Sequence, residues 1–144
     1  MTKQEIFNLM NNNPVFFLAT TDNGQPRVRG MLLYKADEEG IIFHTGTMKD
    51  LYTQISASPK AEMCFNDFKS GVQVRVRGTL EESKDIKLKD EILEHPSRKF
   101  LRDWKENGDL QDFYHTLAVF RMTNGVAVTW TMTDNFEPKT DVEL

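Results

Sequence analysis

A chain of 144 residues, 39% hydrophobic and 28% charged, has the size and make-up of one soluble domain with a single core. Its apolar runs fall well short of the roughly 20 residues that cross a bilayer, and a net charge of -4 opposes the attraction to nucleic acid that surplus Lys and Arg would supply. One cysteine, Cys64, excludes an internal disulfide, and Met1 to Glu5 carry no apolar signal core, so a cytoplasmic protein without membrane or nucleic-acid partners is expected.

Thr2-Lys3-Gln4-Glu5 reads as a capping box ahead of Ile6, Phe7, Leu9 and Met10, which predicts a short first helix. Val15 to Thr20 is a continuous apolar run of strand length, and Asp22 to Pro26 supplies turn chemistry. Arg27 to Lys35 then returns as a second strand, and a turn at Asp37 to Gly40 feeds a third, Ile41 to Thr45. These three are expected to form a hairpin meander. Thr47 can cap a helix carrying Leu51, Tyr52 and Ile55, which Ser58-Pro59 ends because the residue before proline avoids helical backbone.

Ala61 to Phe65 and Val72 to Leu80 predict a second hairpin. Ser83 to Leu93 reads as a helix, interrupted at His95-Pro96, with a further helical turn within Ser97 to Lys105. Leu117 to Met122 and Val126 to Thr131, joined by Thr123-Asn124-Gly125, predict a last hairpin, and Thr133 to Leu144 reads as a polar tail or arm. About seven strands and three helices give a mainly β, α+β class with antiparallel pairing. One domain over residues 1–144 is expected, closed or partly closed into a barrel to remove sheet edges.

The segment from Ile41 to Lys49 runs from a buried strand through Gly46 into a helix. Such a junction presents free backbone donors to an anion, with Thr45 and Thr47 adding hydroxyls. Lys49 opposes the helix dipole there, so it reads either as an anion contact or as a solvated or Asp50-paired residue of an ordinary capped helix. Period-two alternation places Arg27, Arg29, Met31 and Leu33 on one strand face. Arg29 in that apolar company implies an ion pair, an anionic ligand or a solvated edge. Gly30 beside it marks a place for close backbone approach.

Gln73, Arg75 and Arg77 alternate with Val72, Val74 and Val76, as on a strand with one wet face. Trp104 and Trp130 read as core, interface or cofactor-facing residues. His44, His95 and His115 have no metal-site spacing, and no nucleotide-fold glycine motif or nucleophile elbow occurs.

Taken in order, Ala19-Thr20, Gly24-Gln25-Pro26-Arg27-Val28-Arg29-Gly30-Met31, His44-Thr45-Gly46-Thr47-Met48-Lys49, Ser58-Pro59-Lys60-Ala61 and Gln73-Val74-Arg75-Val76-Arg77-Gly78 resemble the pyridoxamine 5'-phosphate oxidase-like superfamily of FMN-binding split β-barrels, in particular its general stress protein 26 branch. The resemblance covers about residues 5 to 131. It implies a homodimer with FMN in grooves between the subunits and a small-molecule electron donor and acceptor. By the same resemblance Arg29 contacts the FMN phosphate, and Gly30, Met31 and Leu32 border the isoalloxazine ring. Thr45, Thr47 and Lys49, with His44 beside them, serve the phosphate and ribityl chain, Gln73 reaches over from the partner subunit, and Trp130 approaches the cofactor.

Family members that oxidise vitamin B6 carry an Arg-x-His pair in a longer C-terminal segment. Trp130 to Lys139 contains none, so the resemblance points to an FMN-dependent oxidoreductase of another small molecule. A flavin-holding or flavin-sensing protein without turnover, or a haem or deazaflavin binder on the same barrel, are the alternatives. No catalytic side chain is assigned. His44 is the nearest candidate acid or base.

Overall fold

The computed structural model describes residues 1–108 and 112–144. Its first helix, α1 (Lys3–Asn12), is set by the expected capping box: the Glu5 amide donates to Thr2 Oγ1 and the Thr2 amide to the Glu5 carboxylate. The helix buries Ile6, Phe7, Leu9 and Met10.

Strands β1 (Val15–Asp22) and β2 (Gln25–Leu32) form a hairpin, with Asn23 and Gly24 at φ 48° and 82° supplying the positive dihedrals of its tight turn. The second strand is shorter than the sequence predicts. Leu33 and Tyr34 leave it, their amides bonding to the carbonyls of Pro14 and Ile42, and a separate short strand β3 (Lys35–Asp37) pairs with β4 (Gly40–Gly46). The expected three-strand meander is therefore not formed: β1 and β5 (Lys60–Asp67) flank one another, while β4 lies beside β7 (Leu117–Met122).

The long strand β6 (Val72–Ser83) is the hinge of the barrel. It pairs along most of its length with β5, but its other edge is divided: Gln73 to Arg77 meet β8 (Val126–Trp130), whereas Leu80 to Ser83 meet β7. Gly78 sits at the change of partner, where a Cβ would lie 2.8 Å from Met122 Sδ. Consequently β7 and β8 are not a hairpin, although they are joined by a short turn with Asn124 at φ 55°. The sheet runs β2-β1-β5-β6-β7-β4-β3 and is not closed by hydrogen bonds. Its end strands, β2 and β3, are joined only through Leu33 and Tyr34, giving a split antiparallel barrel.

Phe16 stacks on Phe65 (4.9 Å) and meets Phe43 edge-on (5.6 Å), and Phe43 stacks on Phe120 (5.8 Å), so four strands are bound at the barrel centre. A second apolar layer forms outside β4 and β7, where Leu88, Ile92, Leu93, Leu101 and Phe113 cover Ile42, Leu117 and Val119. Burial on both faces explains why Ile41-Ile42-Phe43 is an unbroken apolar run.

The outer layer is built from α3 (Ile86–Glu94, capped by Asp85), a 3-10 turn (Pro96–Arg98), α4 (Lys99–Asn107) and the short α5 (Phe113–Thr116), the last unforeseen from sequence. Helix α2 (Asp50–Ala57) starts three residues beyond Thr47, with Lys49 and not Thr47 at its N-cap. The C-terminal segment is not a free tail. Its strand β9 (Val142–Glu143) pairs with β8, Val142 and Leu144 pack on the core, and Asp141 meets Arg77 at 2.6 Å.

Candidate functional site

Arg29 lies opposite Leu18 in the β1–β2 register, and its guanidinium is half-buried against the end of the barrel. Nη1 donates to Thr20 Oγ1 at 2.7 Å and Nη2 to Gln54 Oε1 at 2.5 Å, while the Thr20 hydroxyl donates to the same Gln54 oxygen at 2.7 Å. Every acceptor is neutral. Among the described residues no carboxylate lies within ion-pair distance of Arg29, although neighbouring Arg27 is paired with Asp22 at 3.3 Å. Burial, with a smaller contribution from Arg27, lowers the Arg29 pKa from its usual value. A partly desolvated cation, held by neutral acceptors and without a counter-ion, favours an external anion.

A groove of about 1090 Å³ opens over this cation. It gathers Arg29, Gly30 and Met31 from β2, His44 and Thr45 from β4, and Lys49 from the N-cap of α2. Lys49 makes no capping bond and, among the described residues, no ion pair; the Asp50 pairing that the sequence left open is not made. The Arg27–Asp22 pair and Asp50 line the same groove, and Arg29 and Lys49 are the two of its three cations without an ion pair among the described residues, facing one space with a helix N-terminus. Thr47 stands outside the groove lining, its amide bonded to the Thr116 carbonyl at 2.9 Å. Leu32 also falls outside, 37% exposed on the outer sheet face with Val15, Phe17 and Val28.

Gln73 and Trp130 are cross-strand partners on β6 and β8, away from the groove of their own chain. Gln73 donates to Asn66 Oδ1 at 3.0 Å, and the Trp130 indole to Asn135 Oδ1 at 2.7 Å. Across the sheet, Gly30, Phe17, Cys64, Arg75 and Val128 are successive register partners. They therefore share the outer face, and Gln73 and Trp130 stand two positions along it. Within one chain, then, the ten residues expected at the site divide between a groove and this outer face, apart from Thr47.

His44 shares its β4 face with Ile42 and turns toward the outer helical layer. Its Nε2 accepts from Arg98 Nε at 2.9 Å, which leaves the ring proton on Nδ1. Arg98 is 2% exposed, donates also to the Leu33 carbonyl at 2.8 Å and lies 5.7 Å from the Tyr34 ring centre. Burial first, then the charges of Arg98 and Lys49, pull the His44 pKa down to about 4. Its lone pair is occupied and its ring uncharged at neutral pH, so His44 can donate a hydrogen bond but cannot serve as a general base.

Three residues not expected at the site complete this arrangement. Gln54 is a polar residue in the apolar stripe of α2, and Thr20 takes an inward place after Phe16 and Leu18. Both positions carry a signal, since a polar group at a core position needs a partner. Arg98, in a basic stretch after Pro96, carries none. Among the described residues no group of His, Cys, Asp or Glu side chains could hold a metal.

Residues 2–123 match the family model for pyridoxamine 5'-phosphate oxidase. A pyridoxine/pyridoxamine 5'-phosphate oxidase of Brucella anthropi is 35% identical over 88 residues, which are 60% of this chain and 43% of that protein. The chain thus matches less than half the length of that relative. Among solved structures, the general stress protein 26 of Bacillus anthracis aligns with a TM-score of 0.73 over 99% of this chain and 98% of its own, at 15% identity. A pyridoxamine 5'-phosphate oxidase-related, FMN binding protein of Nostoc punctiforme aligns at 0.68 over 96% and 88%, at 19% identity.

Proposed function

The chain belongs to the pyridoxamine 5'-phosphate oxidase family, and on that premise we propose that it is a flavoprotein that holds FMN and acts as an oxidoreductase on a small molecule. The observation that carries the reading is the Arg29 guanidinium, fixed by Thr20 and Gln54 and lacking a carboxylate partner in a groove large enough for a nucleotide-sized ligand. Arg29 and Lys49 hold the phosphate, the first α2 amides add backbone donors, and Gly30 and Met31 line the continuation of the groove toward the ring. FMN supplies the electron-accepting chemistry that no side chain here offers. The protein's share is to bind, orient and shield.

The functional unit in this reading is a homodimer formed through the outer face of β1 and β2. Val15, Phe17 and Val28 are 62%, 46% and 70% exposed there, beside Leu32. A Cβ at Gly30 would meet nothing within 4 Å, so a second backbone can approach. Gln73 and Trp130 occupy the same outer face, and this pairing would bring them to the partner's groove. The half-buried Cys64 on this face fits a reducing, cytoplasmic setting.

One observation favours a second reading, a flavin-holding protein without turnover: His44, the one histidine lining the groove among the described residues, has its lone pair engaged by Arg98. The visible spectrum of the purified protein, followed by anaerobic reduction and a panel of quinones, nitro compounds and oxygen, separates these outcomes. A flavin spectrum with acceptor-dependent reoxidation faster than free FMN supports the oxidoreductase. A haem or deazaflavin spectrum overturns the FMN assignment, and a bound flavin that no acceptor reoxidises faster than free FMN leaves the holding role alone.

A further inference from the structure

A second cavity adjoins the groove on the other side of His44. It holds about 160 Å³ between β4 and α4, and its walls are Met48, Phe100, Leu101, Trp104, Phe113 and Leu117. Phe100 and Trp104 meet edge-on at 5.7 Å, and the His44 ring lies 6.3 Å from Phe100. The volume is that of one aromatic ring, since an apolar protein cavity of about 150 Å³ takes up benzene.

Its polar side chains are His44, Thr45, Lys49 and Thr116. His44 and Lys49 line both this cavity and the groove. With His44 Nε2 engaged by Arg98, its Nδ1–H is the free donor, and among the described residues nothing accepts from it. It is not sealed off either: the only fully buried, unpartnered side-chain polar atom among the described residues is Arg121 Nε. Lys49 likewise has no ion-pair partner among the described residues. A mostly apolar slot one ring wide thus carries, beside two threonines, one N–H donor and one ammonium group.

We propose that this cavity is a second ligand site, for a single-ring aromatic carboxylate whose ring packs against the Phe100–Trp104 wall and whose acceptor end meets His44 Nδ1–H and Lys49. Arg98 is its positioning residue, because its bond to Nε2 turns the Nδ1 proton toward the ligand. As a partner of the flavin this ligand rests on the function proposed above; its binding does not.

The experiment is a titration of 4-fluorobenzoate followed by 19F NMR, with and without FMN, while FMN affinity is measured separately by fluorescence. The native protein should broaden and shift the fluorine signal, and should bind neutral 4-fluorobenzyl alcohol at least about tenfold more weakly. Trp104→Ala, a change at a half-exposed wall, should weaken 4-fluorobenzoate severalfold, and His44→Phe by about tenfold or more. Arg98→Met should move the His44 imidazole 15N resonances away from the Nδ1–H pattern, a change that loss of packing alone would not produce. No binding, or binding indifferent to Trp104→Ala and His44→Phe but lost in Arg29→Ala, overturns the proposal, the latter because the carboxylate then occupies the phosphate cradle. Sensitive 4-fluorobenzoate binding in a protein with no FMN affinity leaves the cavity assignment standing and removes the flavin reading.

Discussion

The guanidinium of Arg29 and the carboxamide oxygen of Gln54 lie 2.5 Å apart, and this bond joins an edge strand to a helix while leaving a positive charge without a carboxylate. Gln54 has only 9% of its surface exposed. A glutamate would satisfy the guanidinium equally well in shape, so the amide is what keeps the cation available to a ligand.

Gln54→Glu should therefore neutralise the site without breaking the joint. Charge-assisted bonds are worth about 1.5–3 kcal/mol, so FMN affinity should fall by about tenfold or more. Thermal stability should hold or rise, because a half-buried cation gains its counter-ion. Calorimetric FMN titration and a melting curve on the same sample check both halves.

Placing a charge on the outer sheet face should dissociate the proposed dimer. Phe17→Lys and Val28→Lys alter exposed side chains, so the monomer should fold, with circular dichroism unchanged. Sedimentation velocity should show a dimer for the native chain and a monomer for the pair of substitutions. FMN binding should weaken together with dissociation, since Gln73 and Trp130 would no longer be supplied by a partner.

Acid should expose the state of His44. Its pKa is about 4 in the folded chain against roughly 6.5 when unfolded. Between those values the unfolded chain binds more protons, so this contribution to stability is complete above about pH 6.5 and is lost as pH falls toward 4. It amounts to at most about 3 kcal/mol. Urea unfolding from pH 7 to 4.5 should show the decline, and His44→Phe should flatten it; the native imidazole should show no titration above pH 5 by NMR.

The C-terminal strand should matter through packing more than charge. Asp141 and Arg77 are both about half exposed, so solvent screens the pair and Asp141→Asn should lower stability only slightly. Removing residues 141–144 also removes Val142 and Leu144 from the core and should cost roughly 2–3 kcal/mol. Urea midpoints of the two variants should differ accordingly.

Much of this was legible where local chemistry decides structure. The Thr2–Glu5 box, the Asn23-Gly24 turn and the strand-length apolar runs each carry their cause within a few residues. Pairing was less legible, because Val126 to Trp130 would suit β7 as a hairpin partner as well as it suits β6. The choice depends on β6 changing neighbours at Gly78, a long-range event without a local mark. The polar look of residues 133–144 hid Val142 and Leu144, whose role depends on an edge supplied by β8.

At the site, Arg29, His44, Thr45 and Lys49 could be singled out because strand alternation and a strand-to-helix junction fix their neighbourhood. Gln54 and Arg98 lie 25 and 54 residues from the side chains they hold. Their importance arises only when the helices pack on the barrel. Gln73 and Trp130 were expected near the cofactor, and one chain alone sets them apart from the groove.

The central claim is that Arg29 and Lys49 form a phosphate cradle. Its most direct test is the ratio of FMN to riboflavin affinity, measured by fluorescence titration in the native chain and in Arg29→Met with Lys49→Met. The phosphate is the sole difference between the two ligands. The native chain should prefer FMN by at least about tenfold, and the double variant should bind both equally weakly. A native chain indifferent to the phosphate, or a double variant that keeps the full preference, would contradict the assignment.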